Sequence, residues 1–451
     1  MKFGWILFPV LASCLMGADM NEIHEALVNR VDVARKAVGI VVGTIDAGGR
    51  QIVAYGKTGG SPDRAPDANT IFEIGSITKV FTSLVLADMV ERGEVKLDDP
   101  VVKYLPAGAK VPTRGGKQIT LLDLSMQISG LPRLPTNLKY ADPLNPYVDY
   151  TGARLLDFLS EYKLTRDIGE KYEYSNLGAG LLGFALAHRD GASYEEMVRR
   201  RILQPLKMSS TTVTLSDAQK ARMAAGHDAA LHAVPLWDID ALAGAGALRS
   251  TADDMLTFLA ANMGLVETPL KNAMARMRSV HRETGTPDLE IEMAWHVWHK
   301  FGADLVWHNG GTGGFRSFLG FDPARRRGVV VLCNTSFDVD DIGRHAIESQ
   351  WPLAQFPAPK QRTEIALPPQ AIERIAGLYE FRPGIALTVT HEGSRVFAQL
   401  TGQPKLEIYA ENETEFFLKV VDAQLSFVVD GGKVTAVVLH QNGIDQRATR
   451  K

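Results

Sequence analysis

The chain has 451 residues, of which 45% are hydrophobic and 22% charged, and its formal net charge is −3. This length exceeds that of an ordinary single domain, so we expect one large domain and a smaller companion. The charge balance shows no basic surplus and no long run of like charges. Nucleic acid is therefore excluded as an expected partner, and a disordered charged tail is not indicated.

The first 18 residues have the pattern of a secretory signal. Lys2 precedes an apolar run over residues 3–12, and small residues follow as far as Ala18. The run is too short to span a bilayer but suits the core of a signal. Residues 11–14 also resemble a bacterial lipobox, which predicts a membrane tether through lipidated Cys14; plain cleavage near Ala18 is the alternative. Both outcomes place the protein in the periplasm or outside the cell, whereas a third interpretation is a buried N-terminal helix of an intracellular protein.

The rest of the large domain, residues 19–351, alternates between strand and helix patterns. Two strands are expected over residues 38–56 with a turn at 45–50, and an apolar helix over 76–91 that presents one face to the core. Helices and loops follow as far as residue 240. Further strands are predicted at 292–298, 304–308, 315–321 and 328–333, and a helix at 338–351. The pattern indicates an α+β fold in which an antiparallel sheet flanked by helices adjoins a helical subdomain.

A proline-rich linker is predicted over residues 352–370, and a small domain over residues 371–451. Five short strands are expected there, at 386–390, 396–400, 415–420, 425–429 and 434–439, with a hairpin turn at 430–433. The spacing predicts an all-β barrel or sandwich. No cluster of reactive residues occurs in it, so we interpret it as an accessory module.

The first candidate catalytic pair is Ser76 and Lys79. Both lie at the start of the predicted helix, after a turn at residues 73–75. Residues three apart on a helix are neighbours, so the Lys79 amine reaches the Ser76 hydroxyl. A serine hydroxyl becomes a good nucleophile only when a base takes its proton, and a lysine serves as that base when its pKa is lowered. A second S-x-x-K, at residues 160–163, lacks this context and is assigned to a solvated helix face.

Two further motifs lie downstream. Tyr174 and Asn176 follow a loop-like approach; a tyrosine near cations acts as general base and then acid, and the asparagine amide holds either a substrate carbonyl or the lysine. His308 ends a predicted strand and leads into the glycine-rich run at 310–314. Gly310 and Gly311 allow close approach of a substrate backbone, and the Gly311 N–H is a candidate oxyanion donor beside that of Ser76.

Together these motifs resemble, in content and order, the serine β-lactamase and penicillin-binding-protein superfamily. The resemblance spans about residues 20–350 and is strongest to the class C β-lactamase branch, which includes family VIII esterases and D-amino-acid peptidases. Other shared stretches are 72–75, 93–100, 121–124, 128–132 and 244–251.

The resemblance implies an acyl-enzyme on Ser76, with Lys79 as its proton partner and Tyr174 as general base. It assigns substrate binding to Asn176 and to residues 308–311. One position departs from the family: the strand motif usually begins with lysine, and here it begins with His308, which is mostly neutral at pH 7. The departure weakens the expected recognition of a substrate carboxylate.

Several other motifs are set aside. Residues 57–59 spell the lysine form of the strand motif but precede Ser76, so we interpret them as a turn. The G-x-G-x-x-G at 178–183 has no strand leading into it, and close helix packing explains it better than a dinucleotide. Scattered histidines predict no metal and no cofactor, and Cys333 is expected to be a small core residue of a strand.

The sequence thus predicts a monomeric serine hydrolase of small substrates. β-Lactamase-type hydrolysis is the leading expectation, and D-stereospecific peptidase or esterase activity is the alternative. A non-catalytic envelope sensor that binds penicillin is the rival from another class of function.

Overall fold

A computed structural model describes residues 19–139, 141–359, 362–419, 423–441 and 444–451. The expected signal segment, with Cys14, lies outside these residues, as does Val420 at the end of one predicted strand. The chain divides into two compact units, Met1–Pro357 and Ala358–Lys451. None of the helices in the described ranges is long and apolar enough to cross a membrane.

The helices are α1 Met20–Val28, α2 Thr78–Glu91, α3 Leu121–Ser125, α4 Gly152–Glu161, α5 Asn176–Asp190, α6 Tyr194–Val198, α7 Gln204–Leu206, α8 Asp217–Lys220, α9 Ala243–Gly246, α10 Ala252–Asn262, α11 Lys271–Met277, α12 Asp340–Ile347 and α13 Pro369–Ile375. Short 3₁₀ turns cover Gly75–Ile77 and Val101–Tyr104, and π-type turns cover Asn29–Val33 and Arg199–Leu203.

The strands are β1 Gly39–Asp46, β2 Gly49–Gly56, β3 Phe72–Glu73, β4 Thr113–Arg114, β5 Lys117–Gln118, β6 Gly226–His227, β7 Ala233–Val234, β8 Arg249–Ser250, β9 Arg282–Glu283, β10 Leu289–Ile291, β11 His296–Lys300, β12 Ala303–Gly311, β13 Arg316–Asp322, β14 Arg327–Cys333, β15 Gly377–Arg382, β16 Ile385–Glu392, β17 Arg395–Leu400, β18 Leu406–Ala410, β19 Glu415–Phe417, β20 Ala423–Asp430, β21 Lys433–Gln441 and β22 Ile444–Arg450.

The first unit is built on an antiparallel sheet in the order β2-β1-β14-β13-β12-β11-β10-β9. Successive side chains of a strand point to opposite faces, and β1 shows the consequence. Ile40 and Val42 enter a core with α1 and α12, whereas Val41 and Ile45 face the larger core that the helical subdomain fills. Both faces of the sheet are therefore covered, as the α+β pattern predicts.

The helix that follows Ser76 differs from its predicted amphipathic form. Every residue of α2 from Thr78 to Met89 is buried, because the helix packs against α5, α9 and α11 rather than lying on a surface. Its polar side chains find partners inside the protein: Thr82 donates to the Gly244 carbonyl at 2.8 Å. The helix predicted over 338–351 is also shorter, ending at Ile347.

The G-x-G-x-x-G run lies within α5 and serves packing, as interpreted from the sequence. A methyl group on Gly183 would come within 2.8 Å of the Gly244 Cα, and one on Gly180 within 2.5 Å of the Leu242 side chain. The small residues therefore let α5 and α9 approach closely.

The second unit contains a closed antiparallel barrel of the strands from β15 to β22, which decides between the barrel and sandwich alternatives. Its interior holds a compact apolar cluster that includes Phe416, Leu425 and Val437. Strands β15, β18 and β22 were not predicted from the sequence. Helix α13 precedes the barrel and has Pro369 in its first turn, where the missing N–H costs nothing.

Candidate active site

Ser76 lies in a tight turn that opens α2. Gly75 has a φ of +50°, a conformation that glycine adopts at little cost, and the 3₁₀ turn Gly75–Ile77 leads into the helix. The pairing of β3 with β8 fixes the turn from below, since the Ile74 N–H donates to the Leu248 carbonyl at 3.1 Å. The Ser76 side chain is consequently held at a defined point on the surface of a cleft.

Lys79 is buried beneath Ser76, with 1% of its surface exposed. Its Nζ lies 2.9 Å from the Ser76 Oγ, 2.9 Å from the Asn176 Oδ1 and 2.7 Å from the Ala245 carbonyl oxygen. Burial lowers the Lys79 pKa well below its usual value, and the charge of Arg133 lowers it further. The site thus favours a neutral amine next to the serine hydroxyl.

Tyr174 reaches the same point from the start of α5. Ser175 caps that helix by accepting from the Gly178 N–H at 2.8 Å, and its hydroxyl donates to the Pro132 carbonyl at 2.6 Å. The Tyr174 ring lies 4.8 Å from the Lys79 Nζ. Burial raises the Tyr174 pKa, and a hydrogen bond with Ser76 opposes that rise only in part. Tyr174 is therefore a neutral phenol in this environment.

Strand β12 closes the other side of the Ser76 turn. Its backbone comes so close that a methyl group on Gly310 would lie 2.0 Å from the Ile74 carbonyl oxygen, and one on Gly75 2.6 Å from the Gly311 nitrogen. Ser317, on the neighbouring strand β13, donates to the same Ile74 carbonyl at 2.9 Å. Glycines on both segments are what permit this contact, and Gly311 remains exposed to the cleft.

His308 lies on β12 directly behind this contact and is 1% exposed. Its Nδ1 is 2.6 Å from the Asn309 carbonyl oxygen, and its ring centre is 6.2 Å from that of Tyr174 and 5.3 Å from that of His296. Burial lowers the His308 pKa well below its usual value, with smaller contributions from His296 and Lys79. The fold therefore favours the neutral form of the His308 imidazole even more than the sequence predicted.

The cleft above Ser76 holds about 320 Å³ of space, part of which is open to solvent. It is lined by uncharged residues, namely Ser76, Tyr147, Asn176, Trp237, Ile239, Leu242, Ala245, Gly246, Gly311 and Thr312. An uncharged lining suits a substrate with an apolar body and few polar groups.

Sequence reasoning missed the aromatic wall formed by Tyr147 and Trp237, whose ring centres are 5.3 Å apart. The backbone N–H of Trp237 donates to the Glu73 carboxylate at 2.9 Å, and Glu73 is in turn paired with Arg249. Burial raises the Glu73 pKa, which the Arg249 charge opposes. Trp237 lies in a loop that carries no sequence motif. Glu73 and Arg249 lie in stretches 72–75 and 244–251, whose resemblance to the superfamily was a signal that these two residues are near the site.

The residues that the sequence assigned to catalysis and substrate binding lie together at and beneath this cleft, with Ser76, Asn176 and Gly311 in its lining. Ser76, Lys79 and Asn176 are joined by hydrogen bonds, with Tyr174 and His308 packed around them. The Asn176 amide oxygen accepts from Lys79, which is one of the two tasks expected for this residue. Ser160 of the other S-x-x-K is exposed on α4 and its hydroxyl donates to the Asp157 carbonyl, as expected for a solvated helix face.

Comparisons with known proteins agree with this architecture. The Beta-lactamase family model matches residues 24–349, and a domain of unknown function (DUF3471) matches residues 361–450. The D-alanyl-D-alanine-carboxypeptidase/endopeptidase AmpH of Escherichia coli is 29% identical over 70% of this chain and 84% of its own. A β-lactamase of the same organism is 26% identical over 73% of this chain and 93% of its own.

Among solved structures, a class C β-lactamase superposes with a TM-score of 0.62 at 21% identity, covering 72% of this chain and 94% of that one. That likeness shows the fold. The fold and family matches define a serine hydrolase. This chain belongs to the Beta-lactamase family.

Proposed function

We propose that the protein forms an acyl-enzyme on Ser76 with β-lactams and with peptides that end in D-amino acids, and then hydrolyses it. The observation that carries the proposal is the group of three around Ser76, in which a buried amine lies 2.9 Å from the hydroxyl and a phenol packs beside both. The two relatives carry the names of the two reactions, which share the acylation step and differ in the amide bond that is opened, a lactam ring or a peptide.

The hydrogen-bond partners of Lys79 support its role as the base. The Asn176 amide oxygen and the Ala245 carbonyl only accept hydrogen bonds, so they take the two N–H groups of a neutral amine. The contact with Ser76, in which the Lys79 amine donates to the hydroxyl oxygen, then reverses, so that the lone pair of the neutral amine accepts the hydroxyl proton. The lowered pKa of Lys79 points to the same state.

In the first step the Ser76 Oγ attacks the substrate carbonyl carbon while its proton passes to Lys79. We assign the stabilisation of the negative charge that develops on the carbonyl oxygen to the backbone N–H groups of Ser76 and Gly311. The carbon–nitrogen bond then breaks, and the leaving nitrogen takes a proton from Tyr174. The raised pKa of Tyr174 favours this role as acid over the general-base role that the resemblance implied.

In the second step a water molecule attacks the acyl carbonyl, its proton is taken up by the Lys79–Tyr174 pair, and Ser76 regains its own. D-stereospecific peptide hydrolysis has one observation in its favour, because the 29%-identical relative is named as a D-alanyl-D-alanine-carboxypeptidase/endopeptidase.

The test compares Ser76→Ala with Ser160→Ala, which alters the exposed serine of the second S-x-x-K. Ser76→Ala should lower turnover of nitrocefin, a p-nitrophenyl ester and a D-alanyl-D-alanine peptide by about 10⁴-fold or more and abolish labelling by a fluorescent penicillin. Ser160→Ala should leave both unchanged. Turnover that survives in Ser76→Ala would disprove the proposal, and a labelled wild type that never releases its adduct would favour the penicillin-binding sensor.

We further propose that the protein works in the periplasm or outside the cell, which rests on the signal pattern of residues 1–18. The barrel unit acts there as an accessory module. Fractionation of cells that express the full chain, with Cys14→Ser as the matched variant, tests the location and the lipid tether together. Loss of membrane association in Cys14→Ser supports lipidation, and a soluble periplasmic wild type supports plain cleavage.

A further inference from the structure

The cleft recognises its substrates without the cation that the strand motif usually supplies. Three basic side chains around the reacting groups are buried or already paired with other groups. Lys79 is buried with its hydrogen bonds made, Arg249 is paired with Glu73, and His308 is buried with a lowered pKa. None of these three offers a positive charge to an incoming anion.

Arg133 is the exception. Its guanidinium carbon lies 5.1 Å from the centre of the Tyr174 ring, and the side chain is exposed. No carboxylate pairs with it among the described residues. The carboxylates in the neighbourhood have other partners: Glu173 pairs with Arg166, and Asp238 lies 3.7 Å from Arg249.

The backbone of Arg133 is fixed to the same element that carries the catalytic phenol. Its carbonyl accepts from the Asn176 N–H at 3.0 Å and from the Leu177 N–H at 3.2 Å. Its charge reaches the reacting groups, since it lowers the pKa values of Lys79 and Tyr174. Arg133 is thus a positioned cation rather than a side chain that happens to be nearby.

Arg316 is the other basic residue near the cleft, but it lies on the wrong side of β12. A methyl group on Gly310 would point at Ile74, whereas one on Gly311 would meet the Arg316 guanidinium at 2.9 Å. Adjacent strand residues face opposite sides, so Arg316 is turned away from the Ser76 turn. It also donates to the Thr312 and Phe315 carbonyls.

We propose that Arg133 binds the carboxylate of the substrate and thereby sets the preference of this site for anionic over neutral acyl donors. The inference rests on the proposed acyl-enzyme function and adds to it the residue that takes over from the missing lysine. An arginine fork holds a carboxylate through paired hydrogen bonds, and such charge-assisted contacts are worth more than neutral ones.

The experiment compares one anionic and one neutral acyl donor on the full chain. Nitrocefin carries a carboxylate, and p-nitrophenyl butyrate does not. Removing Arg133 also raises the Lys79 pKa, which slows both substrates alike, so the ratio of their kcat/KM values isolates carboxylate binding. In Arg133→Gln that ratio should fall by about 10- to 100-fold, mainly through KM for nitrocefin. In Arg133→Lys the ratio should fall less, because the lysine still offers a positive charge to the carboxylate.

Arg114→Gln is the control, because it removes an exposed arginine that pairs with Asp167 and, unlike Arg133, does not lie over the Tyr174 ring. Its ratio should equal that of the wild type. An unchanged ratio in Arg133→Gln, with both substrates slowed equally, would overturn the proposal and leave Arg133 as an electrostatic neighbour of Lys79. A wild type that turns over neither substrate would instead refute the acyl-enzyme function itself.

Discussion

Replacing Gly310 with alanine perturbs the contact that brings β12 against the Ser76 turn. The added methyl group would lie 2.0 Å from the Ile74 carbonyl oxygen and 2.4 Å from the Ser317 Oγ. Such groups essentially never approach another heavy atom more closely than 3.0 Å. The strand and the turn must therefore separate by about 1 Å, the difference between 2.0 and 3.0 Å, because the obstructing atom is backbone.

That displacement moves the Gly311 N–H away from the Ser76 N–H, and the two together are the proposed oxyanion donors. A misplacement of about 1 Å costs on the order of 100-fold in rate, or about 2.7 kcal/mol of transition-state stabilisation. The overpacked contact should also destabilise the first unit by about 1–3 kcal/mol. The catalytic rate should therefore fall by about 100-fold, while most of the protein stays folded at the assay temperature.

The assay measures kcat/KM for nitrocefin and the rate of labelling by a fluorescent penicillin, with thermal unfolding followed by circular dichroism. Gly60→Ala is the matched control, because the nearest atom to its added methyl group, the Met223 carbonyl oxygen, is 3.9 Å away. A folded Gly310→Ala protein with full wild-type activity would show that the close approach of β12 is not needed for catalysis.

Two further predictions concern charge. Because the base must be deprotonated and the Lys79 pKa is lowered, kcat/KM should rise with pH along one limb whose midpoint lies well below the usual lysine pKa. The raised Tyr174 pKa predicts no descending limb near neutral pH, so a bell-shaped profile centred near pH 7 would contradict the assignment. Arg249→Met should destabilise the first unit by about 3–5 kcal/mol, because it leaves the Glu73 carboxylate buried without its partner. Adding Glu73→Gln should recover much of that loss in thermal unfolding, and a double variant as unstable as the single one would refute the pairing argument.

The chemistry at the start of α2 was predictable because it depends on local geometry. Residues three apart on a helix are neighbours whatever surrounds them, so Ser76 and Lys79 could be paired from their spacing alone. The central strands of the main sheet were predictable for a similar reason, since continuous apolar runs such as 328–333 suit a strand covered on both faces. The strand predicted at 292–298 was wrong in part, because residues 292–295 form the turn between β10 and β11. The order of the three motifs then indicated the family.

Strands of the barrel were harder to predict. Strand β22 carries mostly polar residues, and apolar and polar residues alternate only weakly along β15. Each strand places only a few side chains in the interior of the barrel. Closure of the barrel pairs β15 with β22, at opposite ends of the unit, whereas the other partner of each is its neighbour in sequence. No local pattern shows that closure, and so the sequence left a barrel and a sandwich as equal alternatives.

The properties of the site were decided by packing. The sequence placed a histidine where the family has lysine, but only the fold buries His308 and lowers its pKa. Only the fold lays Arg133 over Tyr174 and sets Trp237 against the Glu73 carboxylate. Spacing along the chain determines which groups meet within one turn of helix, whereas desolvation and charge depend on every neighbour in space, and those neighbours are set by the tertiary structure.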